Sequence, residues 1–179
     1  MTRLPVPRLP VSLTLGAALA LALVGASCKS KTAEASCSTA EECLPSVDYT
    51  DINAQPFKHA ALSGKVVVVN FWATWCGPCK KEIPAFNQVY LAYKAKGVEF
   101  LGVLYDNQVD DTGLLNFMSD HEMTYPVIRA DRPVLEAYAY PKALPTTFIY
   151  DRKGKLLEMH RGPMSEASLR AQLDEALSR

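Results

Sequence analysis

The stretch "VVVVNFWATWCGPCKKEIP", Val66 to Pro84, decides the fold. Four valines, Asn70 and Phe71 form a continuous run rich in β-branched residues, the pattern of a central strand buried on both faces. Two tryptophans follow, and then Cys76 and Cys79 bracket Gly77 and Pro78. Pro78 suits the first turn of a helix, where its missing N–H has no partner to lose. The thiols therefore fall where a strand ends and a helix begins. A helix N-terminus offers free N–H groups and a partial positive charge. Both favour a thiolate at Cys76 and lower its pKa below the free value of about 8.5. Cys79, one turn on, is placed to attack a mixed disulfide formed at Cys76. Pro84 removes a backbone hydrogen bond inside the helix and predicts a kink.

Outward from this core, strands and helices alternate. "VDYTDI" from Val47 alternates like a short edge strand, and Ser63-Gly64 marks a turn. Pro78 to Lys96 reads as a helix, with Ile83, Phe86, Val89, Tyr90 and Tyr93 on one face and Gly97 as its stop. Val98 to Tyr105 is a second buried strand. Asp111 to His121 reads as a helix, Val127-Ile128 as a short strand and Arg132 to Tyr140 as a further helix. Thr146 to Tyr150 and Lys155 to Arg161 flank "DRKG", whose Gly154 supplies a hairpin turn. Leu169, Leu173, Ala176 and Leu177 give a last helix its apolar face. The order β-α-β-(α)-β-β-α predicts an α/β fold, a mixed central sheet flanked by helices.

The chain has 179 residues, 49% of them hydrophobic, enough for one domain with a real core. Lys+Arg and Asp+Glu are equal at 19 each, so global charge makes no case for nucleic acid. Residues 1–28 read as a signal peptide: Arg3 and Arg8, then an apolar run ending in small residues before Cys28. The apolar run is short for a membrane span, which needs about 20 residues. Small residues followed by Cys resemble a lipoprotein cleavage site, with Cys28 as the lipidated residue, although Gly25 stands where Leu is usual. Cleavage after Ala26 and an uncleaved anchor are the other outcomes, and all three place the domain outside the cytoplasm. Residues 29–46 read as a flexible tether, poor in large apolar groups. Cys37 and Cys43 interrupt it; in an oxidising compartment a small structural disulfide is favoured over a second redox pair, unpaired thiols or a metal site. The domain is expected to span residues 47–179.

A structural zinc site is disfavoured, because His59, His121 and His160 show no ligand-like spacing and no second C-x-x-C occurs. C-x-x-C beside a βαβ pattern reads instead as a redox motif. "FWATWCGPC", Phe71 to Cys79, and "LPTTFIYDRKGKLL", Leu144 to Leu157, resemble the two hallmarks of the thioredoxin superfamily. With "CKKEIP", the signal sequence and extra chain from Asp106 to Tyr125, the resemblance is to the TlpA/ResA-type tethered thioredoxins. It implies a thioredoxin fold with an N-terminal extension and a central insertion. It makes Pro145 the cis-proline that packs on the active-site disulfide, and Leu144 the residue before it. Gly77, Pro78 and Trp75 would support and flank the site, with Trp75 shaping the docking surface, while Trp72 belongs to the core. Lys80 and Lys81 form a solvated face able to attract an acidic partner.

Cytosolic thioredoxins carry a buried Asp and a Lys on adjacent strands; here Asn70 and Gly102 stand at those positions. Glu82 matches a Glu of the ResA-type proteins and shares a helix face with Cys79. It is therefore the expected proton acceptor for Cys79, the rival role being a solvated residue favouring the helix dipole. The resemblance implies a thiol–disulfide oxidoreductase outside the cytoplasm, with Cys76 as nucleophile, Cys79 as resolving thiol and no cofactor beyond that dithiol. The C-G-P-C sequence resembles thioredoxin, at about −270 mV, more than DsbA, at about −120 mV, which favours a reductase. Partners implied are protein clients, apocytochrome c among them, a membrane electron donor of the DsbD/CcdA kind, and the membrane through a lipid anchor. An oxidase or isomerase is the alternative enzyme, and a copper-binding module the alternative class; the C-x-x-C spacing disfavours copper, since copper chaperones of this fold use C-x-x-x-C with a distant His.

Overall fold

A computed structural model describes residues 39–179. Cys28 and Cys37, the signal peptide and most of the expected tether lie outside the described residues. The centre is a five-stranded mixed sheet of β3 (Val66–Trp72), β4 (Val98–Leu104), β5 (Val127–Arg129), β6 (Thr146–Tyr150) and β7 (Leu156–Arg161), in the order β5-β4-β3-β6-β7. β3 runs parallel to β4 and antiparallel to β6. Every residue of β3 is buried, as its unbroken apolar run predicts. The register Asn70↔Gly102 sets these two residues on adjacent strands.

Helix α1 (Gly77–Tyr93) crosses from β3 to β4, and α4 (Glu166–Ser178) packs beside it. Val66, Val68, Phe86, Val89, Phe100, Ile149, Leu169 and Leu173 fill the layer beneath these helices. The other face carries a second cluster: Val67, Val69, Phe71, Phe148 and Tyr150 against Leu62, Val134 and Tyr138. Helices α2 (Asp111–Asp120) and α3 (Arg132–Ala137) flank β5 in sequence. Asp110 caps α2 by accepting the Gly113 N–H, and Asp131 caps α3 by accepting from Val134.

Three expectations change. The segment assigned to the tether up to residue 46 is packed over its last eight residues: Ala40 and Leu44 are buried. Their backbone pairs with the β6–β7 turn, through Leu44 N–H to Gly154 and Leu156 N–H to Glu42, while the Tyr150 hydroxyl donates to Ala40 O. Composition averaged over 18 residues concealed two apolar anchors. Cys43 is disulfide-bonded. The strand at "VDYTDI" shrinks to β1 (Tyr49–Thr50), which pairs with β2 (Pro56–Phe57) in a separate ribbon; only an isolated bridge, Asp51↔Ile128, ties it to the main sheet. Finally, α1 stops at Tyr93, and a 3-10 turn over Lys94–Lys96 completes the run to Gly97, whose φ of 87° only glycine adopts readily. Pro84 lies within α1, exposed.

Candidate active site

β3 delivers the chain to the C-terminal end of the sheet, and α1 starts there. Cys76 is the N-cap of α1, and its sulfur accepts the Cys79 backbone N–H at 3.2 Å. Gly77 and Pro78 form the exposed first turn. Cys76 and Cys79 are joined in a disulfide, with sulfurs 2.02 Å apart. Cys79 is fully buried and Cys76 is 5% exposed. Trp72, Ala73, Leu104, Leu114 and Val127 surround the pair, and Leu144 packs against that cluster. The Leu144–Pro145 bond is cis. Gly162 N–H donates to Pro145 O, tying β7's end to this loop. Trp75 stands 63% exposed beside the motif, and Trp72 is buried. The insertion forms one wall: Phe117 of α2 stacks on Trp72, with ring centroids 5.3 Å apart.

Below the dithiol lies a polar cluster inside an otherwise apolar layer. Glu82, one turn after Cys79 on α1, is 3% exposed. Its Oε1 accepts the Asn70 amide at 2.9 Å and its Oε2 accepts the Met164 backbone N–H at 2.9 Å. Asn70 donates also to Thr147 Oγ1 at 3.0 Å. Burial pushes the Glu82 pKa up to about 7, and the two hydrogen bonds only partly oppose it. Glu82 is therefore no solvated first-turn residue, and it titrates where a group exchanging protons at neutral pH must. Burial, with the nearby Glu82 charge, also holds the Tyr125 hydroxyl well above its ordinary pKa.

The sequence contains Asn70, Glu82 and the thiols but does not signal what holds them. Met164 and Thr147 enter from 82 and 77 residues away. Nor does the sequence signal the pairing of Thr74 with Asp106. The Thr74 hydroxyl donates to the buried Asp106 carboxylate, which also accepts the Gln108 N–H. Burial raises the Asp106 pKa, but these hydrogen bonds outweigh it and leave the group below its ordinary value. This pins the β4–α2 loop to the residues just before Cys76. Among the described residues no cluster of His, Cys, Asp and Glu could hold a metal.

A dithiol at a helix N-terminus suits thiol–disulfide chemistry, and the proteins similar to this chain bear names of that chemistry. The AhpC/TSA family model matches residues 40–159. The thiol-disulfide oxidoreductase ResA of Bacillus subtilis (strain 168) is 36% identical over 126 residues, 70% of this chain and 69% of that one. The chain belongs to the AhpC/TSA family, in its ResA-type thioredoxin-like branch. ResA of Geobacillus thermodenitrificans (strain NG80-2) is 33% identical over 171 residues, 94% of both chains. Among solved structures, a thiol:disulfide interchange protein of the thioredoxin family from Chlorobium tepidum TLS superposes with a TM-score of 0.70 at 30% identity. That match covers 76% of this chain and 97% of the other. The thioredoxin fold and the oxidoreductase class expected from the motifs are thus those of this family.

Proposed function

We propose that this thiol–disulfide oxidoreductase works outside the cytoplasm as a reductase of protein disulfides, with Cys76 as nucleophile and Cys79 as resolving thiol. The observation that carries the reading is the buried Glu82, hydrogen-bonded on both oxygens, one helical turn from Cys79. The Cys76 thiolate attacks one sulfur of a client disulfide. The client S–S bond breaks, a mixed disulfide forms, and the first client sulfur leaves as a thiolate that takes a proton from water. Cys79 gives its proton to the Glu82 carboxylate and attacks the Cys76 sulfur. The mixed disulfide breaks, the second client thiolate leaves, and the Cys76–Cys79 disulfide forms. Two electrons pass from the dithiol to the client, and the proton on Glu82 returns to solvent or to the departing thiolate.

Several observations support this direction and place. The C-G-P-C motif resembles strongly reducing thioredoxins. The apolar N-terminal run reads as an export signal, with Cys28 as the lipidated residue that tethers the domain to the membrane. A reductase there is recharged by a membrane dithiol donor of the DsbD/CcdA kind. Apocytochrome c is a fitting client, since its cysteines must be reduced before haem attachment. The protein needs no cofactor beyond its dithiol, and Trp75, Gly77, Pro78, Leu144 and Pro145 shape the docking surface. Among the described residues no helix is long and apolar enough to cross a membrane.

The test is a trap. In Cys79→Ser the mixed disulfide at Cys76 cannot resolve, so adducts recovered from the cell envelope should carry exported proteins linked through Cys76. Absence of any adduct in that variant, with the wild type also failing to reduce insulin, overturns the reading.

A further inference from the structure

We propose that the rim around the dithiol is built to dock extended client segments whose cystine is flanked by acidic residues. This rests on the reductase reading and adds the chemistry of the partner. Most cations elsewhere in the described fold are engaged. Lys58, Lys65, Arg129, Arg132, Arg170 and Arg179 form ion pairs, while Lys153 and Lys155 stand exposed without one among the described residues, at the far turn of the β6–β7 hairpin. Lys80, Lys81, Lys142 and Arg161 differ from these two in lying toward the dithiol end of the sheet. All four are exposed, and none forms an ion pair with a described residue.

The topology sets these four at the end of the sheet where α1 begins. The Lys80 N–H bonds to Cys76 O, one turn into α1. Helical side chains tilt toward the N-terminus, so Lys80 and Lys81 lean back over the Cys76–Gly77 turn. Arg161 is the strand partner of Thr146, the residue after cis-Pro145, and Gly162 bonds to Pro145 itself. Lys142 lies three residues before that proline, its ammonium 6.0 Å from the Tyr140 ring centroid. Arg161 and Thr146 belong to the face that carries Phe148 and Tyr150, opposite to α1. The cations therefore flank the dithiol from both sides of the sheet.

Two further features fit a docking rim. Ala139 and Tyr140 hold positive φ of 51° and 52°, unfavourable for non-glycine residues. This turns the chain sharply off α3 and leaves Tyr140 exposed beside Lys142. With Trp75 it supplies an aromatic surface for a peptide. The carboxylates at this end are already used. Asp106 accepts from Thr74 and Gln108, Asp110 caps α2, and Asp111 pairs with Arg129. Asp106 and Asp110 keep their charge but are turned into hydrogen bonds within their own loop and helix, whereas the four exposed cations have no ionic partner among the described residues, and their complement on a client is Asp or Glu. Such complementarity acts mainly on association rate and is screened by salt.

The experiment uses the reduced protein and three substrates: a disulfide-looped peptide with Asp and Glu flanking each cysteine, the same peptide with Lys and Arg there, and neutral bis(2-hydroxyethyl) disulfide. At low ionic strength the acidic peptide should react with a kcat/KM about tenfold or more above the basic one, in line with electrostatic steering. The gap should narrow at high salt. The double variant K142E/R161E should lose or invert the preference. K153E/K155E, equal in net charge but at the far turn of the β6–β7 hairpin, should keep it. Equal rates for the two peptides, or a preference that responds equally to both double variants, overturn the docking inference while reduction of the neutral disulfide leaves the reductase reading standing. If the neutral disulfide and both peptides are all inert, the reductase reading fails and the inference with it.

Discussion

Strands β3 and β6 present two unlike faces. Toward the N-terminal segment and α3, residues Val67, Val69, Phe71, Phe148 and Tyr150 make a layer of apolar contacts. Its aromatic rings interlock, Phe71 lying 5.1 Å from Tyr138 and 6.1 Å from Phe148. Its polar atoms are satisfied at the margins, where Tyr49 and Tyr138 share a hydrogen bond. Toward α1, the layer begins as Val66, Val68 and Ile149 but becomes Asn70, Thr147 and Glu82 under the dithiol. A one-residue step along the same strand thus separates a stabilising surface from a reactive one. The difference teaches where this fold spends stability: between helix and sheet, a buried carboxyl stands on the face that meets the thiols.

If the two faces divide the labour in this way, variants on each should fail differently. The largest stability loss is expected for Phe71→Ala, about 3–5 kcal/mol in urea unfolding, from lost burial and the cavity left among Tyr138 and Phe148. The pH profile of disulfide exchange, measured where the variant remains folded, should keep its shape.

Glu82→Gln should do the reverse. Because burial raises the Glu82 pKa from its ordinary 4.5 to about 7, the folded state keeps a proton that the unfolded chain releases. That contribution is complete below pH 4.5 and is lost as pH rises through 7. The oxidised wild type should therefore lose roughly 3 kcal/mol between pH 4.5 and pH 8 from this group, and Glu82→Gln should remove most of that slope. Exchange should slow roughly 10- to 100-fold, at or below the low end for losing a general acid–base group, with an altered pH profile. Unfolding curves and exchange rates against pH check both halves; superimposable profiles would return Glu82 to a purely structural role.

Gly102→Ala probes the seam between the site and the α1 layer. An added Cβ would come within 2.8 Å of the Tyr125 ring and 3.1 Å of Trp72 Nε1. Overpacking of this kind should cost about 1–3 kcal/mol and disturb the Trp72 environment, visible as a change in near-ultraviolet circular dichroism. The smallest effect belongs to Tyr150→Phe. Removing the hydroxyl deletes its bond to Ala40 O and should cost about 1 kcal/mol. Hydrogen exchange should accelerate mainly in the segment from Ala40 to Leu44, leaving the redox end untouched.

Much of the architecture follows from local signals. The apolar run at β3, the caps of α2 and α3, Gly97 and the Gly154 turn each act within a few residues of chain, so spacing alone predicts them. Cys76, Cys79, Gly77 and Pro78 belong to the same class: a helix start is legible from its own sequence. The order of residues 39–46 is not legible locally, because Ala40 and Leu44 are held by a hairpin more than 100 residues away. Likewise "VDYTDI" alternates like a strand, but only two of its residues pair with β2, and a single bridge, Asp51↔Ile128, reaches the β5 edge of the sheet.

The sequence by itself determined where thiolate chemistry could occur, since the helix N-terminus that favours Cys76 and the thiol that resolves it lie within four residues. It also determined that Asn70 cannot take a proton, and so that another group must. Tertiary structure alone decided that Glu82 is buried and hydrogen-bonded on both oxygens, the setting such a group requires. A glutamate's pKa reports its solvent, and the exclusion of water around Glu82 is the work of β3, β6 and the β7–α4 turn, which meet only in the folded chain.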